Sequence, residues 1–311
     1  EEIPAGCFCV HFEKLIEASG RLADGLKPDI ILAEPVGSCT DLVNAVITPL
    51  KSLYTDQFVV APYVALLDPI HALEALSVTG ATGFSRKVTY IYKMQQNEAD
   101  IVAINKTDQL DPAKLERVEA LVAQNFPRAT CLSVSAITGA GFDRLVSLLD
   151  EPGEAGLNPA QVDYKRYTEG EIALGWLNAQ VAVSAAAPWD GNAFLMVVAQ
   201  SVRAGLIMGG AQIAHFKMRL VDEQGREAAL HATSNEGTLA LAQCIDTPVS
   251  TGRLVVNLRA EGNPETLQQS VETALKAVEM ALEVDCSIER CEAFAPNPPS
   301  PPPPERNRIR T

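Results

Sequence analysis

Several apolar runs, each emptying into a polar turn at its carboxyl end and each separated from the next by a stretch of helical length, restrict this chain to one kind of layered fold. Pro28-Asp29-Ile30-Ile31-Leu32-Ala33 delivers Glu34, and Phe58 to Leu67 delivers Asp68-Pro69. Val102-Ala103-Ile104 delivers Asn105-Lys106-Thr107-Asp108, and Cys131-Leu132-Ser133-Val134 delivers Ser135-Ala136. Residues 12–24 repeat Phe12, Leu15, Ile16, Ala18 and Leu22 at spacings of three and four, an amphipathic helix, and 41–54, 86–99 and 112–125 read as further helices. Strands alternating with helices of this length specify a parallel sheet, with ligands gathered at the strands' carboxyl ends.

The turn after residue 104 has a chemistry of its own. Guanine presents two adjacent N–H donors, so a carboxylate such as Asp108 accepts both in a fork. Adenine lacks that pair and would leave the carboxylate partly unpaired, a penalty larger than the bond itself. Asn105 is short and bifunctional, suited to the base edge and the neighbouring loops, and the alkyl stem of Lys106 can lie along the face of the base. Four residues alone are also ordinary loop chemistry after a strand. Two further segments add weight. Ser135-Ala136 offers a backbone N–H for the guanine oxygen beside small side chains that admit close approach, with Thr138 near the cap of the next helix. Glu34-Pro35-Val36-Gly37 puts a carboxylate three residues before a glycine, a spacing suited to sensing a γ-phosphate: Glu34 polarises water or Mg²⁺ ligands and the Gly37 N–H meets the phosphate. Asp68 reads as a helix cap, with a place facing the nucleotide cleft as the alternative.

The formal charge of −14 excludes nucleic acid as a general partner, because a phosphate backbone would be repelled, and no local basic patch offsets it. No apolar run approaches the roughly 20 residues that span a bilayer, and no signal peptide opens the chain, so no membrane is expected and the expected setting is cytoplasmic. Seven cysteines, an odd number, fit a reducing compartment and direct attention to metal in place of disulfides.

That metal chemistry concentrates at the start of the chain. Cys7, Cys9 and His11 offer three candidate ligands within five residues, a thiolate and imidazole set that suits Zn²⁺ or another borderline-soft divalent ion. In an extended strand, positions i and i+2 lie about 6.5 Å apart, whereas two thiolates on one ion must approach to roughly 4 Å. The segment would have to turn, which Gly6 permits. The alternative is a pair of small buried cysteines beside a helix. Cys39 reads as a packed small residue.

Glu151 to about residue 160 is a linker by composition, and beyond it the texture changes. Tyr164–Leu177 reads as a short helix, 180–186 as a strand, 191–206 as a long apolar helix, and 215–221 with 227–233 as a hairpin about Asp222-Glu223-Gln224-Gly225. Residues 253–259 make another strand, and Asn263 caps a helix that runs to about Glu283. We therefore expect a domain over 1–150, a linker over 151–160, a smaller α+β domain over 161–294, and an extended proline-rich tail over 295–311. His215, His231, Cys244, Cys286 and Cys291 have no mutual ligand spacing and read as core or surface residues.

Gly6-Cys7-Phe8-Cys9, Glu34-Pro35-Val36-Gly37-Ser38, Asn105-Lys106-Thr107-Asp108 and Ser135-Ala136, in this order, resemble the CobW-type GTPases, P-loop GTPases related to the urease and hydrogenase metal-insertion GTPases. The resemblance covers roughly residues 1–150, and the remainder only in architecture. It implies an α/β P-loop NTPase-like domain, GTP and Mg²⁺ as ligands, and a metallochaperone that couples GTP binding and hydrolysis to delivery of a divalent metal of the Zn/Co/Ni class to a client metalloprotein, with a homodimer as a further expectation. By position, Cys7 and Cys9 match two thiolates of the family's metal motif, Asn105, Lys106 and Asp108 its guanine readers, and Glu34 and Gly37 its hydrolysis switch. Val10 stands where the family has a third cysteine, leaving His11 to substitute. No Gly-x-x-x-x-Gly-Lys-Ser/Thr phosphate loop occurs. We expect a piece of a longer protein that lacks its first strand and phosphate loop, with GTPase activity in the intact protein and little in this chain. The competing reading is a degenerate guanine-nucleotide-binding or scaffold protein whose C-terminal domain binds a partner.

Overall fold

The structure, a computed structural model, describes Ile3, Phe8 and residues 11–76, 83–151, 155–236 and 239–299. The chain divides into two compact units that meet in sequence at Thr168 and Glu169.

The first unit opens with α1 (Phe12–Leu26), which buries Phe12, Leu15 and Ala18, the face its three-and-four spacing predicts. The helix expected over 41–54 is present, but its first part, Val43–Ile47, is wound as a π-helix before α2 (Thr48–Leu53). Next come β1 (Val64–Leu67), α3 (Pro69–Leu76), α4 (Arg86–Glu98), β2 (Ile101–Ile104), α5 (Pro112–Asn125), β3 (Thr130–Ser133) and α6 (Phe142–Asp150). The strands form a parallel sheet in the order β1-β2-β3, with Leu67 beside Ile104 and Ile104 beside Ser133. This is the expected α/β architecture. β2 lies between two neighbours and all four of its residues are buried, which is why it reads in sequence as unbroken aliphatics.

Two expected strands differ. Residues 28–33 form no strand, and Ile30 and Leu32 are 70% and 88% exposed. A strand exists only through a ladder partner, and the two described ladders of this sheet engage none of these residues. The run expected over 58–67 is a strand only from Val64. Pro62 has no N–H to give a ladder, and Val59 is 98% exposed.

The second unit begins within α7 (Tyr164–Ala173), shorter than expected because Leu174 already starts β4 (Leu174–Trp189). It continues through α8 (Gly191–Met208), β5 (Gln212–Asp222), β6 (Glu227–Ala232), β7 (Ala240–Gln243), β8 (Val249–Glu261), α9 (Pro264–Leu282) and β9 (Asp285–Phe294). The strands make an antiparallel sheet in the order β7-β6-β5-β8-β4-β9. α8 and α9 pack with this sheet through Phe194, Leu195, Val198, Leu267, Val271 and Val278. α8 is the one described helix long and apolar enough to cross a membrane, and its apolar residues are part of this core. Asn263 caps α9 through the Glu265 N–H at 3.0 Å, as expected.

Candidate nucleotide site

The register of the small sheet sets what the first unit gathers. Because Leu67, Ile104 and Ser133 lie side by side, the residues that follow them, Asp68, Asn105 to Asp108, and Val134 to Ala136, share one rim at the strands' carboxyl ends.

Here the two expected guanine-reading loops are bonded to each other. The Ser135 hydroxyl donates to Asp108 Oδ1 at 2.6 Å, and the Ala136 N–H donates to Asn105 Oδ1 at 3.0 Å. Thr107 gives both its N–H and its hydroxyl to the Val134 carbonyl. Asp108 is exposed, and no hydrogen bond among the described residues takes its Oδ2. One carboxylate oxygen is thus held by Ser135 on an otherwise exposed residue. The Ala136 N–H, expected to meet the base oxygen, is held by Asn105.

Lys106 has a left-handed backbone, φ 60°, and its ammonium lies 2.6 Å from Asp68 Oδ2. Asp68 is the helix cap read for it, and its second oxygen is engaged as well. Its Oδ1 accepts the Ile70 N–H at 2.9 Å and caps α3, while its Oδ2 holds the lysine. Burial pushes this carboxyl up, but the charges of His71 and Lys106 and the Ile70 amide outweigh burial and hold it below the usual carboxylate range.

The loop 135–141 turns tightly. The helix after it is capped not near Thr138 but by Gly141 at φ 78°, where a Cβ would lie 2.2 Å from the Ser133 carbonyl oxygen. Thr138 instead gives its N–H to the Ser135 hydroxyl at 3.2 Å.

Glu34 and Gly37 are not tied to this rim. Glu34 is exposed. The Gly37 carbonyl accepts from Gln95 Nε2 at 3.0 Å, near the carboxyl end of α4, and α4 ends at Glu98 just before β2 begins. The acid-x-x-Gly loop is therefore anchored at the amino edge of the sheet, opposite the guanine-reading rim. Residues 12–54 form their own cluster there, with Phe12, Leu15, Leu42 and Val46 packed around Cys39 and against Tyr63.

Cys7 and Cys9 lie outside the described residues. His11 stands at the N-cap position of α1 with its carbonyl accepting the Leu15 N–H. Among the described residues no group of three or more His, Cys, Asp or Glu is placed to hold a metal. Cys39 is buried, as read, but it is disulfide-bonded, which corrects the expectation that this chain uses no disulfide and removes Cys39 as a thiolate ligand in this state. A shallow depression of about 200 Å³ between Asn178, Gln180, Val255, Asn257, Arg290 and Glu292 lies in the second unit and includes no expected site residue.

Residues 1–133 match the model of the CobW/HypB/UreG nucleotide-binding domain. Over these residues the chain is similar to that domain. The match spans the guanine-reading turn and ends at Ser133, just before Ser135 and Ala136. Among solved structures, the chain is similar to the Zn(II)-bound YjiA GTPase from E. coli, at 15% identity and a TM-score of 0.26 over 76% of this chain and 67% of that one. It is also similar to a Zn(II)-bound triple mutant of YjiA GTPase, at 13% identity and a TM-score of 0.28 over 85% and 76%. No curated protein matches. Asn105 to Asp108 fall within the residues that match the CobW/HypB/UreG domain. The contribution of Asp68, which pairs with Lys106 across 38 residues, carries no local sequence signal beyond an acid at a strand's end.

Proposed function

We propose that this chain binds guanine nucleotides at the rim formed by Asn105, Lys106, Asp108, Ser135 and Ala136, with Asp68 fixing the lysine. The observation that carries the reading is the state of Asp108: Ser135 holds one oxygen at 2.6 Å and the residue is exposed. This is the posture of a carboxylate prepared to accept the two N–H groups of guanine without reorganising. The match of residues 1–133 to the CobW/HypB/UreG nucleotide-binding domain supports it.

We further propose that nucleotide binding is linked to a divalent metal, Zn²⁺ in the first instance, held by Cys7 and Cys9 with His11 once the Cys39 disulfide is reduced, and passed to a client protein in a cytoplasmic setting. Phosphate and Mg²⁺ chemistry falls to Glu34 and Gly37 only when their loop leaves the amino edge of the sheet. The Gln95 contact that holds Gly37 there favours, for the chain as it stands, a nucleotide-binding protein that does not hydrolyse.

Calorimetric titration of the chain with GTP, GDP, XTP and ATP tests the guanine reading. Each charge-assisted hydrogen bond from guanine to Asp108 contributes about 1.5–3 kcal/mol, so Asp108→Asn should lower affinity for GTP on the order of 100-fold and raise that for XTP. An unchanged preference for GTP in the variant sinks the assignment.

A further inference from the structure

Away from the rim, a second set of polar contacts converges on the segment that follows Glu34-Pro35-Val36. Gln95 donates to the carbonyls of Gly37 at 3.0 Å and Cys39 at 2.9 Å. One turn later on α4, Glu98 accepts the N–H of Asp41 at 2.9 Å and of Val43 at 3.1 Å. Contacts also come from α7, more than 120 residues away in sequence. The Tyr167 hydroxyl donates to the Ser38 carbonyl and accepts from the Thr40 N–H, both at 3.2 Å. The Tyr164 hydroxyl donates to Asp41 Oδ2 at 2.5 Å, and Asn44 donates to Asp41 Oδ1 at 2.6 Å.

Each residue from Gly37 to Asp41 is therefore engaged by a side chain from elsewhere, and Ser38, Cys39, Thr40, Asp41 and Tyr167 are each at most 5% exposed. A connecting segment ordinarily lies on the surface with its backbone satisfied by water. This one is buried, and its backbone is satisfied by two helices. One hydroxyl both donating and accepting between Ser38 and Thr40 fixes the segment against Tyr167 in a way that a purely apolar contact would not.

We propose that Tyr164 and Tyr167 are positioning residues that clamp the acid-x-x-Gly loop at the amino edge of the sheet, so that release of the loop and loosening of the first turn of α7 are one event. The inference rests on the reading of this loop as a phosphate sensor. To serve the guanine-reading rim the loop must leave its present place, and in leaving it breaks the bonds that anchor Tyr164 and Tyr167. Because α7 leads directly into β4, the state of the loop is thereby passed to the segment that opens the second unit. The coupling needs a discrete two-state element, and the cluster around Ser38 to Asp41 supplies it.

Hydrogen exchange read by mass spectrometry on the full chain tests the clamp without requiring a nucleotide. Gln95→Ala removes two bonds from the loop and touches nothing on α7. We expect several-fold faster exchange over 38–43 and also over 164–170. In a Tyr164→Phe/Tyr167→Phe background, which keeps both rings, Gln95→Ala should still accelerate 38–43 and leave 164–170 as it is in the double variant alone. If Gln95→Ala leaves 164–170 unchanged in the otherwise wild-type chain, or accelerates it equally with both hydroxyls gone, the clamp is wrong. A separate arm with GTP addresses the sensor reading: exchange over 34–41 that ignores GTP while the chain binds it defeats that reading, and the Gln95 arm still decides the coupling.

Discussion

The ammonium of Lys106 lies 2.6 Å from the carboxylate of Asp68, joining the turn after β2 to the cap of α3. The lysine stem expected to lie along the base thus has its far end fixed by a neighbouring strand end. Lys106 is also in the left-handed region at φ 60°, which a non-glycine residue adopts at some cost. The ion pair helps hold a strained residue in the place we propose for the base. With the lysine side chain 36% exposed, solvent screens the pair, and about 1 kcal/mol is a reasonable share. Asp68→Asn keeps an acceptor for the Ile70 N–H and loses the charge. Affinity for GDP should fall about fivefold, and calorimetry at two salt concentrations should show the loss shrinking at high salt.

Gly141 and Gly139 share a backbone angle and differ in surroundings, which makes them a matched pair. Both have φ 78°, but a Cβ at Gly141 would lie 2.2 Å from the Ser133 carbonyl oxygen, whereas a Cβ at Gly139 would have nothing within 4 Å. Gly139→Ala should cost only the left-handed penalty, about 1–2 kcal/mol. Gly141→Ala adds a clash with backbone that cannot rotate away, and should cost about 3 kcal/mol or more. Urea unfolding of the two variants checks the difference. Equal losses would mean that the approach of Ser133 is not tight.

The metal proposal rests on thiolates, because a hydroxyl is a poor ligand for Zn²⁺. Cys7→Ser/Cys9→Ser should reduce bound zinc to below about a tenth of the wild-type level under equilibrium dialysis. His11→Ala should weaken binding without abolishing it. Equal stoichiometry in wild type and the double variant removes Cys7 and Cys9 from the metal site.

What was legible in the sequence follows from what is local. α5 from Pro112 to Asn125, the Asn263 cap and the hairpin about Asp222 to Gly225 are written in adjacent residues and appear where expected. The turns after β2 and β3, which we propose read guanine, were placed for the same reason, since each is a short motif at the end of a strand. What failed depended on partners distant in sequence. Residues 28–33 have the composition of a buried strand, but composition does not supply a ladder, and here they have none. β9 went unread because Arg290 and Glu292 place charges on an edge strand that alternation alone does not reveal. The contacts of Glu98 with Asp41 and of Tyr167 with Ser38 span 57 and 129 residues, and no local pattern announces them.

Glu98 makes the stability of the first unit depend on pH in a defined direction. It is fully buried and accepts the amides of Asp41 and Val43. Burial pushes its carboxyl up to about 8, aided by the charge of nearby Asp41 and opposed by the amide bonds. Asp41 is itself shifted up by burial, against its bonds from Tyr164 and Asn44. An acid whose folded pKa is raised keeps its proton in the folded state after the unfolded chain has released it. The folded state therefore binds more protons between about 4.5 and about 8, and stability falls as pH rises through that window and levels off above it. The expected loss is on the order of a few kcal/mol. Glu98→Gln offers one acceptor where two are used, so the variant should be less stable at pH 5, but the part of the slope due to Glu98 should vanish. Urea titrations from pH 5 to pH 9 measure both effects. A wild-type stability that rises over this range, or a slope unchanged in Glu98→Gln, would show that Glu98 is ionised in the folded chain and that its bonds to the amides at the start of the 43–53 helix outweigh its burial.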